Sequence, residues 1–147
     1  MLACSRTPTN KYKTYRFHPV ITDKGIESLS SGLSHLVLLS TLTLNLSYSD
    51  NFGDQELGTL SSSLRPLTSL RTLKLEFNGC TNITDEGIKI LSKNLNHLTS
   101  LSSLTLSFGW CNSIGDAGRK LLSLALRDLK LLSSGDMYRE EFSFEKP

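Results

Sequence analysis

Ile83-Thr84-Asp85-Glu86-Gly87-Ile88 is one of four related six-residue segments that decide the fold of this 147-residue chain. The other three begin at Ile21, Phe52 and Ile114, so each copy starts 31 residues after the one before it, with no insertion or deletion. A strict period of this length is typical of a solenoid of stacked repeats. Solenoids present extended surfaces to other molecules, so the repeat indicates a kind of function without naming a partner.

The segment upstream of each copy alternates between apolar and polar residues. Leu73-Lys-Leu75-Glu-Phe77 is one example, and it recurs as Leu42-Thr-Leu44-Asn-Leu46 and as Leu104-Thr-Leu106-Ser-Phe108. Alternation with a period of two predicts a half-buried β-strand. Because a helical crossover follows each strand, we expect the three strands to form a parallel sheet.

The segment downstream of each copy has the period of an amphipathic helix. Apolar residues fall at positions i, i+3, i+7 and i+10, which lie on one helical face. The third copy has Ile88, Leu91, Leu95 and Leu98 at these positions. Pro66 stands where two other copies have histidine, and it requires the second helix to end before it.

An aspartate stands at the start of each predicted helix. The four are Asp23, Asp54, Asp85 and Asp116. A row of carboxylates is one way to bind a metal ion, but aspartate and threonine are also preferred N-cap residues, each cap contributing on the order of 1 kcal/mol. We interpret the row as repeated N-caps and predict no metal site.

The residues between strand and helix resemble a known family. Leu75-Glu-Phe77-Asn-Gly-Cys80-Thr-Asn-Ile83-Thr-Asp85 and the matching residues 106–116 keep the strand, cysteine, isoleucine and aspartate in register. This spacing resembles the cysteine-containing class of leucine-rich repeat, over about residues 20–132. Leucine-rich repeats usually have roughly 20–29 residues, and the surplus lies in the helical half, as in the longer ribonuclease-inhibitor class.

The resemblance implies an α/β leucine-rich-repeat solenoid. We expect a short right-handed horseshoe with a parallel β-sheet on its concave face and helices on its convex face. The repeats decay at both ends, which predicts an N-terminal flank or degenerate cap at 1–19, leucine-rich repeats at 20–132 and a C-terminal flank at 133–147. The flanks are either divergent caps or the ends of a piece of a longer array.

The period of 31 residues also predicts where the flanks would continue the sheet. It places Lys11 and Lys13 at the positions of two strand leucines, and residues 135–139 in a last strand that lacks leucine. The alternating Phe142-Ser-Phe144 could instead supply a final edge strand.

Composition and cysteine count limit the classes of function. A net charge of +2 and 20% charged residues do not favour a nucleic-acid partner, and no apolar run is long enough for a membrane span. Three cysteines, Cys4, Cys80 and Cys111, do not form an even disulfide framework. Free thiols predict a reducing, cytoplasmic location.

Two sets of residues have the chemistry of a possible metal or disulfide site. Cys80 and Cys111 occupy one position in adjacent repeats, with Ser49 before them and His18 further upstream. A disulfide or half of a zinc site is possible there, but we favour a buried ladder of small side chains, since free cysteine is among the most buried residue types. His35 and His97 lie two repeats apart, roughly 10 Å at the strand spacing, too far for one metal ion.

No cofactor or catalytic motif is present in the sequence. It has no Walker loop, dinucleotide-binding glycine pattern, H-E-x-x-H or G-x-S-x-G segment. We therefore expect no cofactor and no enzymatic activity.

Residues that alternate with the strand leucines are expected to face the concave side. Tyr48 and Trp110 follow two strands and flank Gly79. Aromatic residues are favoured anchors of interfaces, although both rings could instead fold over the sheet edge and pack on the solenoid's own loops. The predicted contact residues are Tyr48, Arg71, Lys74, Glu76, Asn78 and Trp110.

Three hypotheses about function follow. The first is a non-enzymatic protein–protein interaction module that binds a protein partner through the concave face. The second, from the resemblance, is a regulatory or substrate-recruiting segment of a larger protein, of the ubiquitin-ligase receptor, kinase or GTPase-regulator type. The third is self-association through weakly capped ends.

Overall fold

Strands and helices alternate along the chain in a computed structural model, which describes residues 12–16, 21–132 and 139–143, and side chains within 21–129. The elements are β1 (Tyr12–Arg16), α1 (Asp23–Ser34), β2 (Thr41–Asn45), α2 (Asp54–Leu64), β3 (Thr72–Glu76), α3 (Asp85–Leu95), β4 (Ser103–Ser107), α4 (Asp116–Leu132) and β5 (Arg139–Ser143). All strands are parallel and follow chain order in one sheet. Successive helices pack side by side. The predicted α/β solenoid is confirmed.

The leucines of the repeat form one continuous core. In β2, β3 and β4 every second residue is buried, and the apolar stripe of each helix is buried with them. Three phenylalanines stack through this core: the ring centroids of Phe52 and Phe77 are 5.4 Å apart, and those of Phe77 and Phe108 are 5.3 Å apart. α2 ends at Leu64, as Pro66 requires.

The period of 31 residues holds inside the sheet and fails at its edges. Thr41 pairs with Thr72 and Thr72 with Ser103. At the first edge, Lys13 rather than Lys11 pairs with Leu42, so the predicted register is wrong by two residues.

The last strand is displaced further along the chain than the repeat predicts. Arg139 pairs with Ser103, 36 residues earlier, and Phe142 pairs with Leu106. The reason is α4, which has 17 residues where α3 has 11, about 9 Å more of helix, so the chain returns to the sheet later. Phe142 and Ser143 belong to the edge strand, as the second interpretation predicted, whereas Phe144 lies outside the described residues.

Threonine, not aspartate, caps α1 and α3, and Gly53 is the N-cap residue of α2. Oγ1 of Thr22 accepts a hydrogen bond from the Gly25 amide at 3.2 Å, and Oγ1 of Thr84 accepts one from the Glu86 amide at 3.2 Å. Each aspartate is the first residue of its helix. The prediction that the aspartates are N-caps is therefore wrong.

Two of the aspartates, Asp54 and Asp85, instead join neighbouring repeats. The Asp54 carboxylate accepts hydrogen bonds from the amide and the hydroxyl of Thr84, at 2.8 and 2.6 Å. The Asp85 carboxylate accepts one from the Gly115 amide at 2.7 Å. Each carboxylate thus fixes the residue at which the next helix begins, one repeat further along the chain.

No helix in the described ranges has both the length and the apolar character that crossing a bilayer requires.

Candidate interaction surface

One face of the sheet carries polar side chains and is opposite to the buried leucines. We call this the open face; it is formed by the half-buried side chains of β2, β3 and β4: Thr43, Asn45, Lys74, Glu76, Thr105 and Ser107. Lys74 Nζ lies 2.8 Å from Glu76 Oε1. Because these are the only charged residues of residues 41–47, 72–78 and 103–109, and they pair with each other, the open face has no net charge.

The chain leaves β2, β3 and β4 through a residue with a left-handed backbone. Tyr48, Gly79 and Trp110 have φ angles of 60°, 74° and 64°. This conformation directs the following residue, Ser49, Cys80 or Cys111, into the interior. It costs a residue with a side chain roughly 1–2 kcal/mol, and glycine serves at the middle position. Strain of this kind is often retained at functional sites.

The Tyr48 ring lies against the next turn and is still exposed. A Cβ added to Gly79 would be 2.5 Å from Tyr48 Cδ1, so the ring covers the Gly79 backbone. Tyr48 is 62% exposed and Trp110 is 44% exposed. For Tyr48, then, packing on the solenoid's own turn leaves most of the residue free to contact a partner.

Asn78 has a structural role in addition to its place beside the aromatic residues. Its Oδ1 accepts hydrogen bonds from the Ser107 hydroxyl at 2.6 Å and from the Gly109 amide at 2.8 Å. The backbone amide of Asn78 donates to the Ser47 hydroxyl at 3.2 Å. Asn78 therefore ties together the ends of β2, β3 and β4, just before the left-handed residues.

Arg71 is remote from the other predicted contact residues. It precedes β3, seven residues before Asn78, which is about 20 Å along an extended strand. Its carbonyl accepts hydrogen bonds from the amides of Ser102 and Ser103 at 2.8 and 2.9 Å. The structure thus brings Tyr48, Asn78 and Trp110 to one edge, places Lys74 and Glu76 on the adjoining open face, and leaves Arg71 at the opposite edge.

The edge that carries the aromatic residues is acidic, which the sequence reasoning missed. We call residues 47–56, 78–87 and 109–118 the acidic rim. They contain six carboxylates and neither lysine nor arginine: Asp50, Asp54, Glu56, Asp85, Glu86 and Asp116. The opposite edge, residues 65–71 and 93–102, contains Arg65, Arg71 and Lys93 and no carboxylate. The overall charge of +2 conceals this separation, but counting charges by repeat position would have found it.

Helix dipoles explain most of the rim, but not Asp50. Five of the carboxylates belong to first helical turns, where the positive end of the helix dipole favours them. Asp50 lies outside the helices, two residues after Tyr48, and is exposed. Thr81 and Asn112 stand at its position in the other repeats, so this charge is not part of the repeating scaffold.

The buried ladder predicted for the cysteines is confirmed. The Cys80 thiol donates to the Leu46 carbonyl at 3.3 Å and the Cys111 thiol to the Phe77 carbonyl at 3.0 Å. Both cysteines are free, and Ser49 is buried at the equivalent place. Burial raises the pKa of both thiols, that of Cys111 to about 12 with a further contribution from neighbouring Cys80. Cys4 lies outside the described residues.

His35 and His97, the histidines in the described part of the chain, do not assemble with other metal-binding residues. His35 Nδ1 lies 2.7 Å from the Ser31 carbonyl oxygen, and His97 Nε2 lies 3.3 Å from Arg65 Nη2. Over the part of the chain that the structure describes, no three histidine, cysteine, aspartate or glutamate side chains form a cluster that could hold a metal ion. His18 is outside that part.

Comparisons with known proteins agree with this architecture. The family model described as "Leucine Rich repeat" matches residues 67–92 and 94–123. No curated protein matches the chain. Among solved structures, the leiomodin-1 actin-binding site 2 (ABS2) is similar, with a TM-score of 0.67 and 16% sequence identity, over 95% of this chain and 73% of that one. At this identity the likeness is one of fold.

Proposed function

Since the chain is a leucine-rich repeat protein, we propose that it is a non-enzymatic interaction module that binds a protein partner through the open face and the acidic rim. The open face corresponds to the concave face expected from the sequence. We assign binding to the repeats at 20–132; the bounds of the two flanks, and their interpretation as divergent caps or as the ends of a piece of a longer array, stay predictions. A cytoplasmic location stays a prediction.

The observation that carries this proposal is the pair Tyr48 and Trp110. Both are large aromatic residues, both are exposed, and both hold a backbone conformation that glycine adopts without strain at the position between them. Folding alone gives no reason to keep exposed aromatic side chains at such positions. Binding does, because aromatic side chains are the commonest anchors of protein interfaces.

The other predicted contacts have distinct places in the proposal. Lys74 and Glu76 would form hydrogen bonds that position the partner on the open face. They would add little affinity, because an exposed ion pair is worth about 0–1 kcal/mol. Asn78 would support the rim, since its carbonyl oxygen is already engaged. Arg71 would meet only a partner that covers the whole open face.

Partner capture with matched variants tests the proposal. Wild-type protein and a Tyr48→Ala/Trp110→Ala variant are used as bait, and captured proteins are identified by mass spectrometry. Val37→Ala/Leu38→Ala is the control, because Val37 and Leu38 are also exposed, by 47% and 82%, but lie on the loop before β2. We expect specific partners to be lost with the aromatic variant and kept by the control. Identical partners for wild type and the aromatic variant would rule out the rim.

A further inference from the structure

The chemistry of the acidic rim indicates what kind of partner it recognises. We propose that the rim binds an extended, arginine-bearing peptide segment of its partner, with guanidinium groups stacked on Tyr48 and Trp110 and attracted by the surrounding carboxylates. This inference rests on the proposed function and specifies the partner's chemistry.

The aromatic residues supply the stacking surfaces. Tyr48 and Trp110 follow β2 and β4, which lie two strand spacings apart, about 10 Å. Gly79 stands between them and has no side chain, and its backbone is covered by the Tyr48 ring, so no third side chain separates the two aromatic positions. Cations stack favourably on the faces of tryptophan and tyrosine, tryptophan being the better partner.

Charge selects a basic occupant over a neutral or acidic one. The rim holds six carboxylates and no lysine or arginine. Lys89, two residues beyond the rim, pairs with Glu86 at 3.0 Å and offsets one of these charges. The adjoining open face is neutral because Lys74 and Glu76 pair with each other. Asp50 brings a carboxylate beside Tyr48 at a position where the other repeats are uncharged. An acidic segment would be repelled, and a segment without charge would gain nothing from these groups.

Arginine fits this surface better than lysine does. Its planar guanidinium both stacks on aromatic rings and donates to carboxylates through several N–H groups, whereas the lysine ammonium is a compact, strongly hydrated charge. In a polyproline II conformation, which rises about 3.1 Å per residue, every third side chain recurs at about 9 Å. That repeat is close to the separation of the two aromatic positions.

A peptide with this spacing provides the probe. A labelled (Arg-Pro-Pro)4 peptide is titrated with the protein and its fluorescence anisotropy is recorded, and (citrulline-Pro-Pro)4 is the neutral control of the same shape. We expect saturable binding of the arginine peptide with a dissociation constant below about 1 mM, weakening as salt is added. The citrulline peptide should bind at least about fivefold more weakly.

Variants locate the binding site. Trp110→Leu keeps an apolar side chain without the aromatic face and should weaken binding of the arginine peptide about fivefold or more. Asp50→Asn should weaken it about threefold at low salt. Asp128→Asn makes the same charge change near the far end of α4, where Asp128 is also exposed, and should leave binding unchanged.

The inference would be overturned by equal affinity for the arginine and citrulline peptides, or by arginine-peptide binding that does not change in Trp110→Leu. Absence of any saturable binding of the arginine peptide would overturn it as well. The partner-capture experiment distinguishes failure of the proposed interaction module from failure of the arginine preference. If Tyr48→Ala/Trp110→Ala abolishes capture while the arginine peptide fails to bind, the interaction module stands and the arginine preference is wrong.

Discussion

Trp110 holds a left-handed backbone, with φ of 64°, at a position where Gly79 serves in the preceding repeat. Replacing it by glycine removes strain of roughly 1–2 kcal/mol. The replacement also loses the packing of a half-exposed ring and adds freedom to the unfolded chain, about 0.5–1 kcal/mol. These effects oppose each other.

We therefore expect Trp110→Gly to change the free energy of unfolding by less than about 1 kcal/mol while abolishing partner capture. Urea denaturation followed by circular dichroism measures the stability, since Trp110 is the only tryptophan in the chain. A loss of stability well above this value would mean that the ring serves the fold rather than a partner.

The buried thiols predict a pH dependence of stability. The folded pKa of Cys80 and of Cys111 lies above the ordinary value of 9.0, and that of Cys111 is about 12. The folded state therefore keeps these protons to higher pH than the unfolded state does. The contribution is complete below about pH 9 and is lost as the pH rises toward about 12.

Unfolding free energies measured between about pH 8 and about pH 10.5 test this effect. The wild-type curve should fall more steeply than that of a Cys80→Ser/Cys111→Ser variant, which has no thiol to titrate in either position. The lysines and tyrosines are the same in both proteins, so their contributions cancel in the comparison. Parallel curves would contradict the assigned cause.

At the scale of the element, the starts of α3 and α4 depend on the repeat before each of them. Asp54→Ala removes the acceptor for two hydrogen bonds from Thr84, and bonds to a charged group contribute about 1.5–3 kcal/mol. Asp23 is the first residue of α1 and is exposed, so Asp23→Ala removes mainly a helix-dipole interaction of about 0.3–1 kcal/mol.

We expect Asp54→Ala to destabilise the protein by about 2–3 kcal/mol and Asp23→Ala by less than about 1 kcal/mol. Chemical denaturation of the two variants measures the difference. Equal losses would show that the aspartates act only through their own helices, as the sequence interpretation assumed.

A glycine in α3 makes room for the same carboxylate. A Cβ at Gly87 would overlap Asp54 Oδ1 and lie 3.3 Å from Asp54 Cα, which belongs to the backbone and does not rotate away. Gly32, in α1, has no neighbouring atom within 4 Å of an added Cβ. The two glycines share a secondary structure and differ in their surroundings.

Gly87→Ala should therefore destabilise the protein by about 1–3 kcal/mol. Gly32→Ala should stabilise it by about 0.5–1 kcal/mol, because alanine favours the helix over glycine. Thermal unfolding followed by circular dichroism measures both changes: the melting temperature should fall in Gly87→Ala and rise in Gly32→Ala. A stable Gly87→Ala variant would mean that α2 and α3 are packed less closely than the structure has them.

These elements show what the sequence could and could not predict. The alternating leucines predict β2, β3 and β4, and the shared repeat position of Cys80 and Cys111 predicts the cysteine ladder. Both predictions succeed because they need only the position of a residue within its repeat. The bonding of Asp54 to Thr84 could not be predicted, because it depends on how closely one helix start approaches the next. The displaced register of β5 follows from the length of α4, where Leu126 and Leu129 continue the buried stripe. Extending the predicted helix through these two leucines would have indicated that β5 begins later than the 31-residue period places it.

For the whole molecule, the open question of self-association concerns the edges of the sheet. β1 and β5 are its edge strands, and edge strands offer unpaired backbone groups to another chain. β1 contains Lys13 and Arg16, and β5 contains Arg139, Glu140 and Glu141. Charged residues on edge strands oppose pairing with further chains.

We therefore expect a monomer of 16.3 kDa in sedimentation velocity over a wide range of protein concentration. A sedimentation coefficient that rises with concentration would instead support the predicted association through the ends. Dependence of that rise on salt would then identify the charged edge strands as the contact.

The aspartate bonds between repeats have a direction. Asp54 holds the start of α3 and Asp85 holds the start of α4, so each acceptor precedes its donor in the chain. A ribosome releases the N-terminal repeats first, and the carboxylate that organises each helix is therefore in place before that helix emerges. The repeats can therefore fold during synthesis, with each folded repeat providing the hydrogen-bond acceptor that positions the helix of the next one.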